Sequence, residues 1–124
     1  MAVQDEVWND DHAWYGEALA RELAADPAQI EILVAYAEGS AVATSMMRLH
    51  RGTQFGSLWG AATLPAFQRR GLYTALVERH VVTALAAGAR LITVDANDNS
   101  CPVLEWVGFR PLVGVQGFVW RPAG

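Results

Sequence analysis

The sequence predicts an α/β (α+β) fold in which helices pack on a mixed, mostly antiparallel sheet. Three observations favour it: β-rich runs joined by short turns fill the front half, a long helical segment follows, and a short run that is apolar on both faces comes next. The predicted order is α-β-β-β-α-β-α-β, with one strand–helix–strand unit in the middle. A chain of 124 residues suits one domain and is too short for two, so we expect a single domain over residues 1–124.

The front half predicts a helix followed by a three-stranded meander. Residues 13–25 are rich in Ala, Leu and Glu, and Asp10 or Asp11 is a candidate N-cap for this helix. The first dozen residues are polar and acidic, so we expect them to be partly disordered. Glycine-containing turns separate three β-rich runs, which predicts antiparallel hairpins. The runs lie at 30–37, 41–49 and 55–63.

The back half predicts alternating helices and strands. Residues 71–87 carry apolar side chains on more than one side, as in a helix that lies on a sheet and is covered by other elements. The run at 90–95 is apolar on both faces, which is typical of a central strand, so we expect it to run parallel to strand 55–63. A short helix over 100–107 and a final strand from residue 109 towards residue 120 complete the predicted order.

Composition and charge exclude several classes of protein. The net charge of −4 and a pI near 5.2 argue against a nucleic-acid-binding protein, which carries a basic surface. No apolar stretch approaches the roughly 20 residues of a membrane span, so we expect no membrane association. One cysteine cannot form an internal disulfide and no secretory signal is present, which favours the cytoplasm. Hydrophobic residues make up 52% of the chain, which favours an apolar partner face and a homodimer.

The loop at residues 68–73 carries the clearest chemical signal, because it delivers the chain into the start of the long helix. The first amides of a helix lack internal partners, and the helix dipole there attracts an anion such as a pyrophosphate. Gly71 allows close approach of a ligand to the backbone, and Arg69 and Arg70 add positive charge. The chain contains no lysine for a P-loop and only one of the glycines of a Rossmann fingerprint.

This loop resembles the Gln/Arg-x-x-Gly-x-Gly/Ala signature of the GNAT superfamily of N-acetyltransferases, read as Gln68, Gly71 and Tyr73. A second block, residues 97–109, is similar to the family's Asn-x-x-Ala/Ser-x-x-x-Tyr-x-x-x-Gly-Phe pattern. The resemblance covers roughly residues 30–120. It implies a GNAT-like sheet whose two central parallel strands splay apart at a thioester, and transfer of an acetyl group from acetyl-coenzyme A to a primary amine.

The resemblance also implies which residues contact the coenzyme. In that family the loop amides hold the pyrophosphate, and the strand before the loop binds the pantetheine arm through its backbone. Backbone N–H groups near Thr63 and Leu64 would polarise the thioester carbonyl, with no metal involved. The implied coenzyme-binding residues are Ala62, Thr63, Leu64, Gln68, Arg69, Arg70, Gly71, Leu72, Tyr73, Thr74, Asn97 and Ser100.

The chain departs from the family pattern at the groups that handle protons. Leu104 stands where many members carry a tyrosine that protonates the leaving thiolate, and leucine has no proton to give. Residues 57–61 hold no carboxylate, so Glu38, His50 and Asp95 are candidate bases by composition only. One helix also replaces the strand and helix with which family members usually begin.

These departures leave three hypotheses. The first is an active N-acetyltransferase that relies on orientation and oxyanion stabilisation. The alternative is a catalytically weak or inactive acyl-CoA-binding domain that acts as a sensor or as part of a dimeric or tandem GNAT protein. The third is a partner-binding module without a coenzyme. The acceptor amine stays open among antibiotics, polyamines, amino acids and protein N-termini, and the acidic charge favours a cationic one.

Several residues also have purely structural interpretations. Asn97 and Ser100 suit a helix cap as well as a ligand contact. Cys101 is expected to be a small buried residue rather than a nucleophile. His80 is expected to be packed inside the protein, and the ring of Tyr73 either covers the coenzyme or packs beneath the helix.

Overall fold

The computed structural model describes residues 2–8 and 13–123, which fall into two compact units, Met1–Val94 and Asp95–Gly124. No helix among these described residues has the length and apolarity to cross a membrane. The first unit contains α1 (Ala2–Trp8), α2 (Ala13–Ala25), β1 (Ile30–Ala37), β2 (Ser40–Leu49), β3 (Phe55–Thr63), α3 (Leu72–Ala86) and β4 (Leu91–Val94). The second unit contains α4 (Cys101–Val107).

The four strands form one mixed sheet in the order β1-β2-β3-β4. β1 pairs with β2 and β2 with β3 in antiparallel fashion, whereas β3 and β4 are parallel. The predicted mixed, mostly antiparallel sheet and the parallel pair after the long helix are therefore confirmed. The β3–β4 ladder ends at Leu58 and Val94, while β3 continues to Thr63.

Two predictions about the back half are wrong. β4 is an edge strand of the described sheet and not a central one, and its residues alternate between exposed and half-buried. The predicted final strand is absent from the described part of residues 109–124, which forms neither helix nor strand. Pro111 has no backbone N–H to give a ladder, and Gly114 and Gly117 weaken a strand, so the apolar content of this segment was a misleading signal.

The expectation of disorder over the first dozen residues is wrong for residues 2–8, which form α1. This helix packs against β2 and β3, with Val3 and Gln4 buried. The Gln4 side-chain amide donates a hydrogen bond to the carbonyl of Gly60. The candidate caps Asp10 and Asp11 lie outside the described residues.

Helices cover both faces of the sheet. On one face Leu19 of α2 packs with Ile30 and Met46, and the Tyr15 hydroxyl lies 3.4 Å from the Met46 sulfur. Ser45 points to the other face, because successive strand residues alternate. There its hydroxyl lies 3.1 Å from Nε2 of His80 in α3.

His80 joins α3 to the sheet through a buried polar network. Its side chain is fully buried, with Nδ1 2.7 Å from Oε1 of Glu31 and Nε2 3.1 Å from Oγ of Ser45. The Thr83 hydroxyl donates to the second carboxylate oxygen of Glu31 at 2.6 Å. These bonds satisfy the buried polar groups and fix which face of α3 lies on β1 and β2. The prediction that His80 is packed inside the protein is confirmed.

A β-bulge in β3 shifts the register near the end of that strand. Thr44 pairs with Ala62, whereas Met46 pairs with Trp59, so β3 carries one extra residue between these pairs. Gly60 lies there with φ of +62°, and a Cβ at this position would lie 2.7 Å from Cε of Met46. The bulge therefore requires a residue that adopts positive φ and has no side chain.

Candidate active site

A short connection carries the chain from the end of β3 into α3. A 3-10 turn over Pro65–Phe67 follows Leu64, and the Phe67 amide donates to the Leu64 carbonyl at 2.9 Å. The Gln68 side-chain amide donates to the carbonyl of Thr63 at 3.1 Å. Gln68, the first residue of the predicted signature, thus ties the loop back to the end of the strand.

The loop enters α3 through two left-handed residues. Arg69 has φ of +61° and Gly71, the N-cap residue of α3, has φ of +80°. Gly71 offers no capping side chain, and the Ala75 amide makes the first helical bond, to the Gly71 carbonyl at 3.0 Å. The amides of residues 72–74 therefore have no partner within the helix. A Cβ on Gly71 would meet no atom within 4 Å, so the space above the loop is open.

Positive charge flanks this helix start in a protein with a net charge of −4. Arg69 and Arg70 are both exposed, and the guanidinium carbon of Arg70 lies 5.1 Å from the ring centroid of Phe67. A cation over an aromatic face at this distance is electrostatically favoured. The ring thus supports one of the two arginines beside the amides of the first helical turn.

Tyr73 is half-buried in the first turn of α3, as are its neighbours Leu72 and Thr74. Burial raises the pKa of the Tyr73 phenol, because the charged phenolate loses solvation. The Tyr73 hydroxyl therefore stays protonated at neutral pH. The burial of the ring favours packing against the protein over a position in which the ring covers a ligand.

The end of β3 presents one backbone amide to the open side of the sheet. The Leu64 amide donates to the Val42 carbonyl at 2.8 Å, so it is engaged with β2. Amides alternate in direction along a strand, and Thr63, which pairs with Ala43, directs its amide to the opposite side. β4 has already ended at Val94 on that side. Of these two amides, that of Leu64 is bonded to β2 and that of Thr63 points away from β2.

The candidate bases of the first unit lie in turns of the sheet. His50 is exposed after β2, and its Nε2 lies 2.7 Å from Oγ of Ser57. Thr63 lies six residues after Ser57 along β3, at most about 20 Å, since the bulge at Gly60 shortens this stretch of strand. Glu38 is exposed in the β1–β2 turn with φ of +53°. His50 thus lies beside the first half of β3, and Thr63 is the last residue of that strand.

The second predicted block forms a turn and the start of α4 within the second unit. Oδ1 of Asn97 accepts hydrogen bonds from the amides of Asn99 and Ser100, both at 2.9 Å. The Ser100 hydroxyl accepts from the Asn97 amide at 3.1 Å. Leu104 is 3% exposed and lies inside α4, and Asp95 is exposed. Asn97 and Ser100 therefore hold a turn ahead of α4. Ser100 is the N-cap residue of α4, but its side chain makes no capping hydrogen bond, so the predicted side-chain cap is not formed.

Cys101 has an environment that opposes nucleophilic chemistry. Its thiol lies 3.2 Å from a carboxylate oxygen of Glu105. The hydrogen bond to Glu105 raises the pKa of the Cys101 thiol, so the thiol form predominates at neutral pH. In the chain as described, no group of three His, Cys, Asp or Glu side chains is arranged to hold a metal ion.

Sequence reasoning missed two features that shape this region. One is α1, whose Gln4 contacts the bulge at Gly60. The other is the bulge itself, which sets the direction of the Thr63 amide. An isolated glycine inside a strand pattern is a known signal for a bulge, and Gly60 was that signal.

The chain also matches the model of a known protein family. The model for the acetyltransferase (GNAT) family matches residues 1–109. The chain belongs to the acetyltransferase (GNAT) family. A comparison with curated proteins returned no match. The match to the GNAT model spans both compact units, because it passes the boundary at Val94.

Solved structures of GNAT proteins share the fold. The chain is similar to an aminoglycoside 6′-N-acetyltransferase of Acinetobacter haemolyticus, with 24% identity, coverage of 98% of this chain and 90% of that one, and a TM-score of 0.75. An aminoglycoside 6′-N-acetyltransferase of Acinetobacter baumannii has 25% identity, coverage of 98% and 89%, and a TM-score of 0.73. A glucosamine-6-phosphate N-acetyltransferase of Arabidopsis thaliana has 14% identity, coverage of 85% and 76%, and a TM-score of 0.76.

Proposed function

We propose that this GNAT protein transfers an acetyl group from acetyl-coenzyme A to a primary amine. The observation that carries the proposal is the loop at residues 68–71, whose two left-handed residues lead into the uncapped first turn of α3. The amides of residues 72–74, with Arg69 and Arg70, are the groups we propose for the pyrophosphate. Alternating backbone handedness is a geometry that forms anion-binding concavities.

The chemistry we propose places its main demand on the backbone. The Thr63 amide faces the open side of the sheet and would donate to the thioester carbonyl, while residues 62–64 align the pantetheine arm. The amine nitrogen attacks the carbonyl carbon, the C–N bond forms, and the C–S bond breaks to release the coenzyme as its thiolate. The proton lost by the amine passes to solvent. Orientation and oxyanion stabilisation supply the rate enhancement.

No side chain is assigned as the general acid. Leu104 has no proton to donate, and it is buried. A thiolate is an adequate leaving group without a proton. The reaction is therefore slower than with a general acid, but it can still proceed. In this mechanism the acceptor reacts as the neutral amine, because a protonated amine has no lone pair with which to attack the carbonyl carbon.

We propose that the acceptor is a cationic molecule that carries further charged groups besides the neutral amine that reacts. Two of the similar structures described above are aminoglycoside acetyltransferases, one of them at 25% identity. The net charge of −4 favours the approach of a cationic molecule. A panel of aminoglycosides, polyamines and amino acids tests this, with free coenzyme thiol as the readout. Turnover with neutral or anionic amines alone would overturn the assignment.

A second candidate is an acyl-CoA-binding domain without transfer activity, and Leu104 is the observation that favours it. The two candidates differ in one measurement. Acetyl-coenzyme A bound without thiol release beyond the uncatalysed rate, across the whole amine panel, would support the binding domain. Amine-dependent thiol release would support the transferase.

Gly71 tests the coenzyme site with a matched pair of variants. Asp and Asn tolerate positive φ better than other side chains, and they have the same shape. Gly71→Asp places a negative charge where we expect the pyrophosphate, and Gly71→Asn does not. Calorimetry with acetyl-coenzyme A should show at least about tenfold weaker binding for Gly71→Asp than for Gly71→Asn, or about 1.4 kcal/mol. Equal affinities for the two variants would remove the pyrophosphate from this loop.

We also propose that residues 1–124 act as one acyl-CoA-binding domain and that the protein is a homodimer. The family match across both units supports the first statement. The hydrophobic content of 52% and the many exposed apolar side chains support the second. Sedimentation equilibrium at micromolar concentration tests the dimer directly.

A further inference from the structure

A cavity lies between the α2–β1 turn, the start of β1, the end of β2 and the last turn of α3. Its volume of about 330 Å³ is large enough for a small molecule. Thr83 lines it and follows Gly71 by 12 residues, which is about 18 Å along the helix. The cavity is therefore separate from the loop at residues 68–71. Its apolar wall is formed by Pro27, Ile30, Met47 and Leu49.

Glu31 gives this cavity a negative charge. Its side chain is 22% exposed, and Oε2 accepts a hydrogen bond from the Thr83 hydroxyl at 2.6 Å. Oε1 lies 2.7 Å from Nδ1 of His80. A carboxylate has about four acceptor positions, and these two bonds use two of them. The exposed part of the Glu31 carboxylate can therefore accept further hydrogen bonds.

The charge of Glu31 is not balanced by a cationic side chain of the described residues. A carboxylate only accepts hydrogen bonds, so Nδ1 of His80 carries a proton and Nε2 accepts from the Ser45 hydroxyl at 3.1 Å. Burial lowers the pKa of His80, so this imidazole is neutral at neutral pH. The chain has no lysine, and no arginine of the described residues forms an ion pair with Glu31.

A half-buried carboxylate beside an apolar wall suits a ligand with a cationic head and a hydrocarbon body. An ammonium group has three N–H donors, which match the remaining acceptor positions of Glu31. The low polarity of the cavity strengthens the attraction between the two charges. A metal ion suits the cavity less well, because no group of three His, Cys, Asp or Glu side chains among the described residues is arranged to hold one.

We propose that this cavity binds a small primary ammonium ion with a compact apolar body, held by the carboxylate of Glu31 and packed against Met47 and Leu49. Glu31 and Met47 belong to the sheet and Thr83 belongs to α3, so the bound ion contacts both layers. A ligand that binds only the folded chain also stabilises it. The proposal is independent of acetyl transfer, because the cavity shares no residue with the proposed coenzyme site.

The test compares cyclohexylammonium with cyclohexanol, which has the same ring but no charge. The amide signals of the ¹⁵N-labelled full chain are followed while each ligand is added at pH 7 without coenzyme. A primary alkylamine is protonated at that pH. We expect saturable shifts at Glu31, Met47, Leu49 and Thr83, with a Kd for cyclohexylammonium on the order of 1 mM. Cyclohexanol should bind at least about tenfold more weakly, because it lacks the charged hydrogen-bond donor.

Glu31→Gln removes the charge and keeps the shape. The glutamine oxygen can accept from His80 and its NH₂ group can donate to the Thr83 hydroxyl, so the buried network is retained. We expect this variant to bind cyclohexylammonium about tenfold more weakly and to bind cyclohexanol and acetyl-coenzyme A as the wild type does. Leu49→Phe fills part of the cavity and should weaken the binding of both ring compounds.

Three results would overturn the proposal. Equal affinities of the wild type for the two ring compounds would show that the charge of Glu31 plays no part. Shifts confined to residues 62–74 would place the ammonium ion at the proposed transfer site. The absence of saturable shifts about tenfold above the expected Kd would mean that the cavity binds no such ion. The comparison of the two ligands uses the wild type, so it decides the proposal even where a variant does not fold.

Gly71→Asp separates this proposal from the proposed function. This variant should keep the wild-type affinity for cyclohexylammonium while it loses affinity for acetyl-coenzyme A. Failure of the coenzyme site therefore leaves the result at Glu31 unchanged. Loss of cyclohexylammonium binding in Gly71→Asp would show that the two sites are one, which also contradicts the proposal.

Discussion

His80 is a fully buried imidazole between a carboxylate and a hydroxyl, so its protonation is coupled to folding. Burial lowers the pKa of His80, because the imidazolium loses solvation, and the neighbouring Glu31 only partly offsets this. The unfolded chain then binds more protons than the folded chain once the pH falls below about 6.5. Stability contributed by neutral His80 is present above that pH and is lost as the pH falls.

We therefore predict that His80→Asn flattens the pH dependence of the free energy of unfolding between pH 7 and pH 5. Asn keeps a donor for Glu31 but does not titrate. The wild-type slope should exceed that of the variant by up to about 1.4 kcal/mol per pH unit, the value for one proton. Urea denaturation at a series of pH values measures it.

Thr83→Val is the matched control for this prediction. It removes the hydroxyl that donates to Glu31 at 2.6 Å without changing a titratable group. We expect it to lower stability by about 1 kcal/mol at every pH and to keep the wild-type slope. Identical slopes for wild type and His80→Asn would show that His80 takes up no additional protons on unfolding.

The bulge in β3 is the element-scale feature that most directly shapes the candidate site. It requires positive φ at Gly60, and a Cβ there meets Cε of Met46 in the core. We predict that Gly60→Ala lowers the free energy of unfolding by about 1–3 kcal/mol, through backbone strain and displacement of Met46. Thermal or urea unfolding measures the loss.

Gly88→Ala separates these two causes. Gly88 has φ of +92°, and a Cβ on it would meet no atom within 4 Å. Gly88→Ala therefore introduces backbone strain but no clash with another side chain. Its loss of free energy of unfolding should be smaller than that of Gly60→Ala. Equal losses would mean that Met46 moves aside without cost.

Elements with strong local signals were predictable. Gly-containing turns and β-rich runs located β1, β2 and β3, and the Gly71 loop located the start of α3 within one residue. Elements that depend on their surroundings were not. The place of β4 at the edge of the described sheet depends on which strands pair with it. The apolar side chains on both of its faces did not indicate this place. The helix α1 packs against β2 and β3, which are distant in the sequence, so its local sequence did not indicate this packing.

The charge of the whole molecule gives a prediction about the acceptor. With a net charge of −4, the protein attracts cations through long-range electrostatic interactions, and dissolved salt screens these interactions. We predict that raising the ionic strength from 0.02 to about 0.3 M lowers kcat/KM several-fold for a polycationic acceptor. A monoamine acceptor serves as the control and should lose less. Equal losses for both acceptors would mean that long-range charge does not guide the acceptor.

The sequence by itself determined the family resemblance and the mixed sheet, and it predicted that the loop at residues 68–73 binds an anion. Those properties are local, because turn glycines, helix starts and side-chain periodicity act over a few residues. Only the tertiary structure decided that the Leu64 amide is bonded to Val42 while the Thr63 amide points away from β2, and that His50 contacts Ser57 in the first half of β3. Strand register and the distance between turns depend on pairing among distant segments, and a one-residue bulge is enough to redirect an amide.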